Sequence, residues 1–171
     1  LKAQKKLPQC VGLRFFNVYG PNEYHKGTMA SFVFHAYHQV KKEKKVRLFK
    51  SYKKDVAHGE QKRDFIYVRD VMEVLYWLLH NRKKENSGIY NMGTGEARTF
   101  NHLANAIFKS LKIKPDINYI ETPIDIRDKY QYFTEAKMEK LMSIGYQDKF
   151  HSLEEGISDY VNNFLVERKY Y

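Results

Sequence analysis

Apolar and polar positions along this chain switch repeatedly between the two-residue period of strands and the wider period of helices. Residues 1–10 read as the end of a helix and a loop, broken at Pro8. Val11 to Val18 is an apolar run rich in β-branched and aromatic residues, predicted to be a strand. It stops at Tyr19-Gly20-Pro21-Asn22, a cluster of turn formers. From Thr28, read as the N-cap, Met29, Phe32, Val33, Ala36, Tyr37 and Val40 recur at helical spacing to about Lys44. The basic run Lys41-Lys-Glu-Lys-Lys45 suits the end of that helix.

Beyond it, residues 46–50 and 62–68 are predicted strands, with a polar excursion over 51–61 between them. Residues 70–81 form an amphipathic helix through Val71, Val74, Leu75 and Leu78. Residues 88–93 are a strand ending at the turn Gly93-Thr-Gly95, and Thr99 caps a helix over 100–111. A late strand at 116–120 leads through a loop bearing Pro123, Arg127, Asp128 and Tyr130 to helices near 134–143 and from after Ser152 to about Val166. Strands separated by helices place the chain in the α/β class. One strand is expected to belong to a sheet built mostly elsewhere, with the rest forming a small α+β lobe. No internal repeat or low-complexity segment is visible.

Composition narrows this picture. The 171 residues are one domain's worth of chain, with a net charge of +10. The sequence pI near 9.5 favours polyanions or phosphorylated small molecules as partners. The single cysteine, Cys10, excludes an internal disulfide framework and fits a reducing cytoplasm. No apolar run approaches the roughly 18 residues needed to span a bilayer, and the first residues lack the apolar core of a signal peptide. The chain starts without Met on an element that runs at once into a core strand, so an N-terminal part is expected to be missing.

Several groups invite chemistry, each with a plainer reading beside it. Gly93-Thr-Gly95 lacks the third glycine of a dinucleotide loop and is better explained as a strand-to-helix turn. Tyr37 and Lys41 have the spacing of a dehydrogenase Tyr-x-x-x-Lys pair, yet Tyr37 lies on the apolar stripe and Lys41 opens a basic run. The match is read as chance. Residues 41–54 carry eight Lys or Arg with few interleaved aromatics, which describes a solvated face rather than a nucleic-acid site. Lys26, between His25 and Gly27 at the mouth of a helix, is placed where desolvation and the helix N-terminus could make it a general base; an exposed loop lysine is the plainer reading. Asn17 at a strand end offers both a donor and an acceptor, or simply caps the turn. His35 lies on the more polar side of its helix. Arg63 could clamp a phosphate or pair with Asp64, and Tyr130 sits in a loop where tyrosines usually pack.

Together these residues resemble a known pattern. Arg14-Phe-Phe-Asn-Val-Tyr-Gly-Pro21, Lys62-Arg-Asp-Phe-Ile-Tyr-Val-Arg-Asp70 and Tyr90-Asn-Met-Gly-Thr-Gly95 are similar to the extended short-chain dehydrogenase/reductase family of nucleotide-sugar enzymes. Two narrower stretches, His25-Lys-Gly-Thr-Met-Ala-Ser31 and Arg127-Asp-Lys-Tyr-Gln-Tyr-Phe-Thr134, resemble its branch that epimerises an ADP-linked heptose. The resemblance implies the C-terminal portion of a Rossmann-type enzyme. Residues 1–45 would hold the last strand and helix of the Rossmann-type domain, and 46–171 mostly the substrate lobe, with 64–93 partly returning to the main sheet.

It further implies NADP-dependent oxidation and re-reduction at C6'' of the ADP-heptose, with Lys26 as a catalytic acid or base. Asn17, Thr28, His35, Phe49, Lys50, Ser51, Tyr52, Arg63 and Tyr130 would contact substrate; Val18 and Lys26 would touch the cofactor. No metal, nucleic acid or membrane partner is expected. A cytoplasmic homo-oligomer, a pentamer by resemblance, would serve lipopolysaccharide core synthesis, and this stretch alone would be inactive. Thr28 stands where the family usually has serine, Asn22 replaces an arginine, and the 49–62 stretch is several residues longer than usual. Another nucleotide-sugar epimerase or dehydratase is the alternative; a basic nucleic-acid-binding module is a distant one.

Overall fold

The computed structural model describes residues 9–170, so the helix end expected before Pro8 lies outside the described residues. The strand predicted over 11–18 is two pieces, β1 (Val11–Phe15) and β2 (Asn17–Tyr19), with different partners. β1 runs parallel to β5 (Gly88–Met92), while β2 runs parallel to β4 (Lys62–Tyr67). The exchange happens at Phe16. Its N–H still bonds Met92 in line with β5, and its carbonyl then accepts from Val18 two residues on, which turns the chain toward β4.

β4 also pairs antiparallel with β6 (Ala97–Thr99), a short strand that the apolar pattern does not announce. β3 (Val46–Phe49) runs parallel to β7 (Ile117–Ile120) as a separate pair. The α/β class is as expected from the sequence; the parallel pairings are the structure's own.

α1 spans Phe32–Glu43, and its N-cap is Ser31, whose hydroxyl accepts from Phe34 N–H at 3.3 Å. Thr28 instead sits in a 3₁₀ turn, Gly27–Met29, ahead of the helix. The pattern misplaced the cap because Met29, 83% exposed, mimics the apolar stripe without joining it. α2 (Val68–His80) starts directly on the last residue of β4, two residues before the predicted start. α3 (Phe100–Ser110) is capped by Thr99, as predicted, through His102 N–H at 3.0 Å.

The 121–130 loop holds a short α4 (Ile124–Arg127), and the helix predicted near 134–143 is only α5 (Glu139–Ser143). α6 (Leu153–Tyr160) opens with a Ser152–Glu155 capping box and continues as a π turn, Val161–Leu165.

Burial divides into two apolar clusters. One joins α1, β3, α3 and α6 through Val33, Val40, Leu48, Ile107 and Ile157. The other lies under α2 and α5 with Ile66, Val74, Met92 and Leu141. β4 seams them, because successive side chains leave opposite faces of a strand: Phe65 and Tyr67 enter the first cluster, and Ile66 the second. Tyr37, the impostor of the Tyr-x-x-x-Lys spacing, is core, and its hydroxyl donates to Leu165 O at 3.0 Å.

Gly20 has φ +147°, and a Cβ there would collide with Val68 and the Tyr67 ring. The turn after β2 can therefore press against the β4–α2 junction.

Candidate functional site

A cavity of about 350 Å³ lies at the carboxyl end of β2, lined in part by Asn17, Val18, Glu23, Lys26, Ser31 and Phe65. A second, about 240 Å³, is lined by Phe32, Arg47, Leu48, Phe49, Gln61, Phe100 and Tyr130. The two share Phe32 and Phe100, whose rings meet edge to face at 5.3 Å. They are two chambers on either side of one aromatic pair. A larger hollow of about 620 Å³ lies beside Pro21, Asn22 and the start of α2, but holds none of the candidate residues.

The first chamber brings together Asn17, Val18 and Lys26. β2 carries the first two, and its sharp end at Tyr19-Gly20-Pro21 sends the next loop back across the opening. Lys26 N–H bonds Glu23 O at 2.9 Å, closing a turn that brings the lysine side chain to the chamber. The surroundings of Lys26 differ from those expected. The side chain is 46% exposed, it precedes a 3₁₀ turn rather than a long helix, and its ammonium lies 3.8 Å from the Glu23 carboxylate. Thr28, next along, is exposed and lines neither chamber.

The second chamber holds Phe49 and Tyr130, whose rings meet edge to face at 6.0 Å. Burial pushes the Tyr130 phenol up, against the opposing effect of Arg63. Arg63 is buried, with its guanidinium 5.5 Å above the Tyr130 ring and 6.0 Å from Phe100. It donates to the carbonyls of Lys62, at 2.8 Å, and Gln131, and burial pushes its pKa down.

The neighbouring acid does not neutralise Arg63. Asp64 accepts instead from Thr94 N–H and hydroxyl, Gly95 N–H and Ala136 N–H, all within 3.0 Å. A carboxylate therefore fills the Gly93-Thr-Gly95 turn where a phosphate cradle would stand empty. Arg63 thus stands behind the second chamber, over the Tyr130 ring that lines it, with carbonyls rather than a carboxylate as its hydrogen-bond acceptors.

The remaining candidates are placed differently. Lys50 pairs with Glu121 at 2.6 Å. Tyr52 bonds the same carboxylate and lies under the Arg127 guanidinium, 3.8 Å from the ring centroid. Ser51 is buried, its N–H donating to His58 Nδ1 at 3.0 Å and its hydroxyl to Lys53 O. These contacts fasten the long 50–61 excursion to the 121–132 loop, beside the chamber that ends at Phe49 and Gln61. His35 stands on α1 against the edge of Phe34, outside both chambers.

Sequence reasoning missed Glu23, Phe32, Phe65 and Phe100. The aromatics sit at positions that pattern alone assigns to core. Glu23 follows the Tyr-Gly-Pro break, where an acidic residue reads as solvent-exposed. For a cofactor, the fit is partial. Val18 and Asn17 offer an edge at the first chamber, while the one glycine-rich turn among the described residues is taken by Asp64.

A family model described as the NAD dependent epimerase/dehydratase family matches residues 2–93. The ADP-L-glycero-D-manno-heptose-6-epimerase of Fusobacterium nucleatum is 51% identical over 175 residues, covering 98% of this chain and 52% of that protein. A protein of the same name from Nitratidesulfovibrio vulgaris is 49% identical over 94% of this chain and 49% of its own. The chain thus spans about half the length of the curated relatives it matches.

Among solved structures, the heptose-6-epimerase of Helicobacter pylori superposes with a TM-score of 0.72 at 33% identity, over 90% of this chain and 43% of that one. The UDP-glucose 4-epimerase of Thermus thermophilus, solved with NAD, gives 0.66 at 28%, over 89% and 45%.

Proposed function

The chain belongs to the NAD dependent epimerase/dehydratase family, and from that premise we propose that it is the substrate side of an ADP-heptose 6-epimerase. The observation that carries this reading is the two-chamber cavity. A lysine, an asparagine and a strand edge line one end, and Phe49 and Tyr130, edge to face, line the other, with the buried Arg63 guanidinium over the Tyr130 ring. A nucleotide sugar has the same polarity, with a reacting sugar at one end and a diphosphate and flat base at the other. In this reading the heptose occupies the chamber of Asn17 and Lys26. The diphosphate approaches Arg63, and the adenosine lies toward Phe49, Tyr130 and the fastened 50–61 excursion. Half of the curated relatives' length is matched, and over that half the identity to the Fusobacterium epimerase is 51%.

NADP, when bound, would supply reversible hydride transfer at C6''. Val18 and Lys26, both lining the first chamber, would touch it. Lys26 handles a proton at the C6'' oxygen from the side opposite a second acid supplied by the rest of the protein. Asn17 holds the sugar so that the flat ketone can present either face. The Rossmann-side part of the chain is β1, β2 and α1, with residues 64–93 partly returning to the same sheet, and the rest is mainly substrate lobe. The 171 residues alone turn over no substrate. The whole enzyme is a cytoplasmic homo-oligomer supplying the lipopolysaccharide core.

Lys26→Ala in the full-length protein tests the assignment. General acid–base groups contribute roughly 10²–10⁴-fold, so epimerisation of ADP-heptose should fall by about that factor, with substrate binding retained. Unchanged turnover would remove Lys26 from the chemistry, while no turnover of ADP-heptose by the unsubstituted full-length protein would favour a 4-epimerase or dehydratase.

A further inference from the structure

Glu23 is an acid buried to 3% exposure, and burying a carboxylate is costly unless it is paired and hydrogen-bonded. Both of its oxygens are used. Oε1 accepts from Ser31 N–H at 2.8 Å and lies 3.8 Å from the Lys26 ammonium. Oε2 accepts from the Ser31 hydroxyl at 2.6 Å and from the Tyr160 hydroxyl at 3.3 Å. Ser31 is the N-cap of α1, and Tyr160 is the buried last residue of α6. One carboxylate thereby joins the 20–31 loop, the start of α1 and the end of α6.

From this junction we infer that Glu23 is a positioning residue for Lys26, fixing the lysine ammonium at the mouth of the first chamber. The inference rests on the proposed role of Lys26. The rest of the lysine's setting calls for such a partner. Its side chain is nearly half exposed, and a free lysine must lose rotamer freedom before it can act in one place. Glu23 is its acidic partner among the described residues. The carboxylate cannot follow the lysine into solvent, because three donors from two helices hold it. The backbone turn Lys26 N–H to Glu23 O sets the spacing between the two side chains. Ser31 lines the same chamber, so the tie sits in the wall of the site.

The experiment is a double-mutant cycle in the full-length enzyme with ADP-heptose, using Glu23→Gln, Lys26→Ala and the pair. Glu23→Gln keeps the volume and one acceptor but loses the charge that holds the ammonium. A roughly 10- to 100-fold fall in kcat is expected, with KM within about threefold. In the Lys26→Ala background, Glu23→Gln should cost no more than about twofold further. A residue that merely supports the fold would lower kcat equally in both backgrounds, and that result overturns the inference. So does wild-type kcat in Glu23→Gln.

If the Gln variant does not fold, Glu23→Asp keeps the charge and withdraws it by one methylene. A reduced kcat at unchanged melting temperature supports the inference, and wild-type kcat sinks it. Full activity of Lys26→Ala alone would be a different failure, that of the lysine's own assignment.

Discussion

Asp64 shows how one side chain can reverse the meaning of a motif. Gly93-Thr-Gly95 has the composition of a phosphate loop, yet its amides point at a carboxylate supplied by β4. The same oxygen pair reaches Ala136 N–H, so the residue staples the β5–β6 turn to the segment before α5. Gly93 is required because a Cβ there would stand 2.6 Å from Asp64 Oδ2. Asp64→Asn removes the charge and aims an amide at donors. With buried donors left unsatisfied at about 1–3 kcal/mol each, the variant should lose roughly 3 kcal/mol, read as a lower urea midpoint of the full-length protein. An unchanged midpoint would mean that the turn holds itself. Residues of this kind were only half legible in the sequence. Arg63, Phe49 and Tyr130 could be named as candidates, but not that Asp64 would decline Arg63 as a partner. Glu23 gave no signal, because its burial depends on Ser31 and Tyr160, and Tyr160 lies 137 positions away.

At the scale of elements, periodicity found most helices and strands and misjudged where they join. An apolar run cannot show that a strand changes neighbours at Phe16, since both halves are apolar for different partners. It cannot show that β4 passes straight into α2 either, because no turn residue marks that junction. The junction is held by Asp70 at the start of α2. This fully buried acid bonds His151 Nδ1 at 2.5 Å and its N–H at 3.1 Å, just ahead of the α6 capping box. The bond to Asp70 raises the His151 pKa above the usual histidine value of 6.5, while burial raises that of Asp70. A histidine held more tightly protonated in the folded state stabilises fully below its unfolded pKa, and that contribution fades as pH rises through the folded one. The Asp70 contribution runs in the same sense, present in acid and lost as pH rises through its raised value. The melting temperature should therefore fall as pH rises above the usual histidine value of 6.5, and His151→Gln should flatten that slope. A slope that persists in the variant would assign it to other groups.

At the scale of the molecule, the two apolar clusters meet along β4, and the candidate site opens where β2 ends against the first of them. That places the first chamber at the carboxyl end of the parallel strand β2, where α/β proteins bind ligands. A net charge of +10 favours anionic partners for the molecule as a whole. The class of fold was readable from strand and helix order. The pairing of chambers was not, because it depends on Phe32 and Phe100 meeting from two helices 68 positions apart. The most direct measurement is the configuration at C6'' after incubation of the full-length protein, loaded with NADP, with ADP-D-glycero-D-manno-heptose, followed by NMR against UDP-glucose as a parallel substrate. The expected result is an equilibrium mixture of the two C6'' epimers and untouched UDP-glucose. Inversion at C4 of UDP-glucose with no change in the heptose would contradict the account.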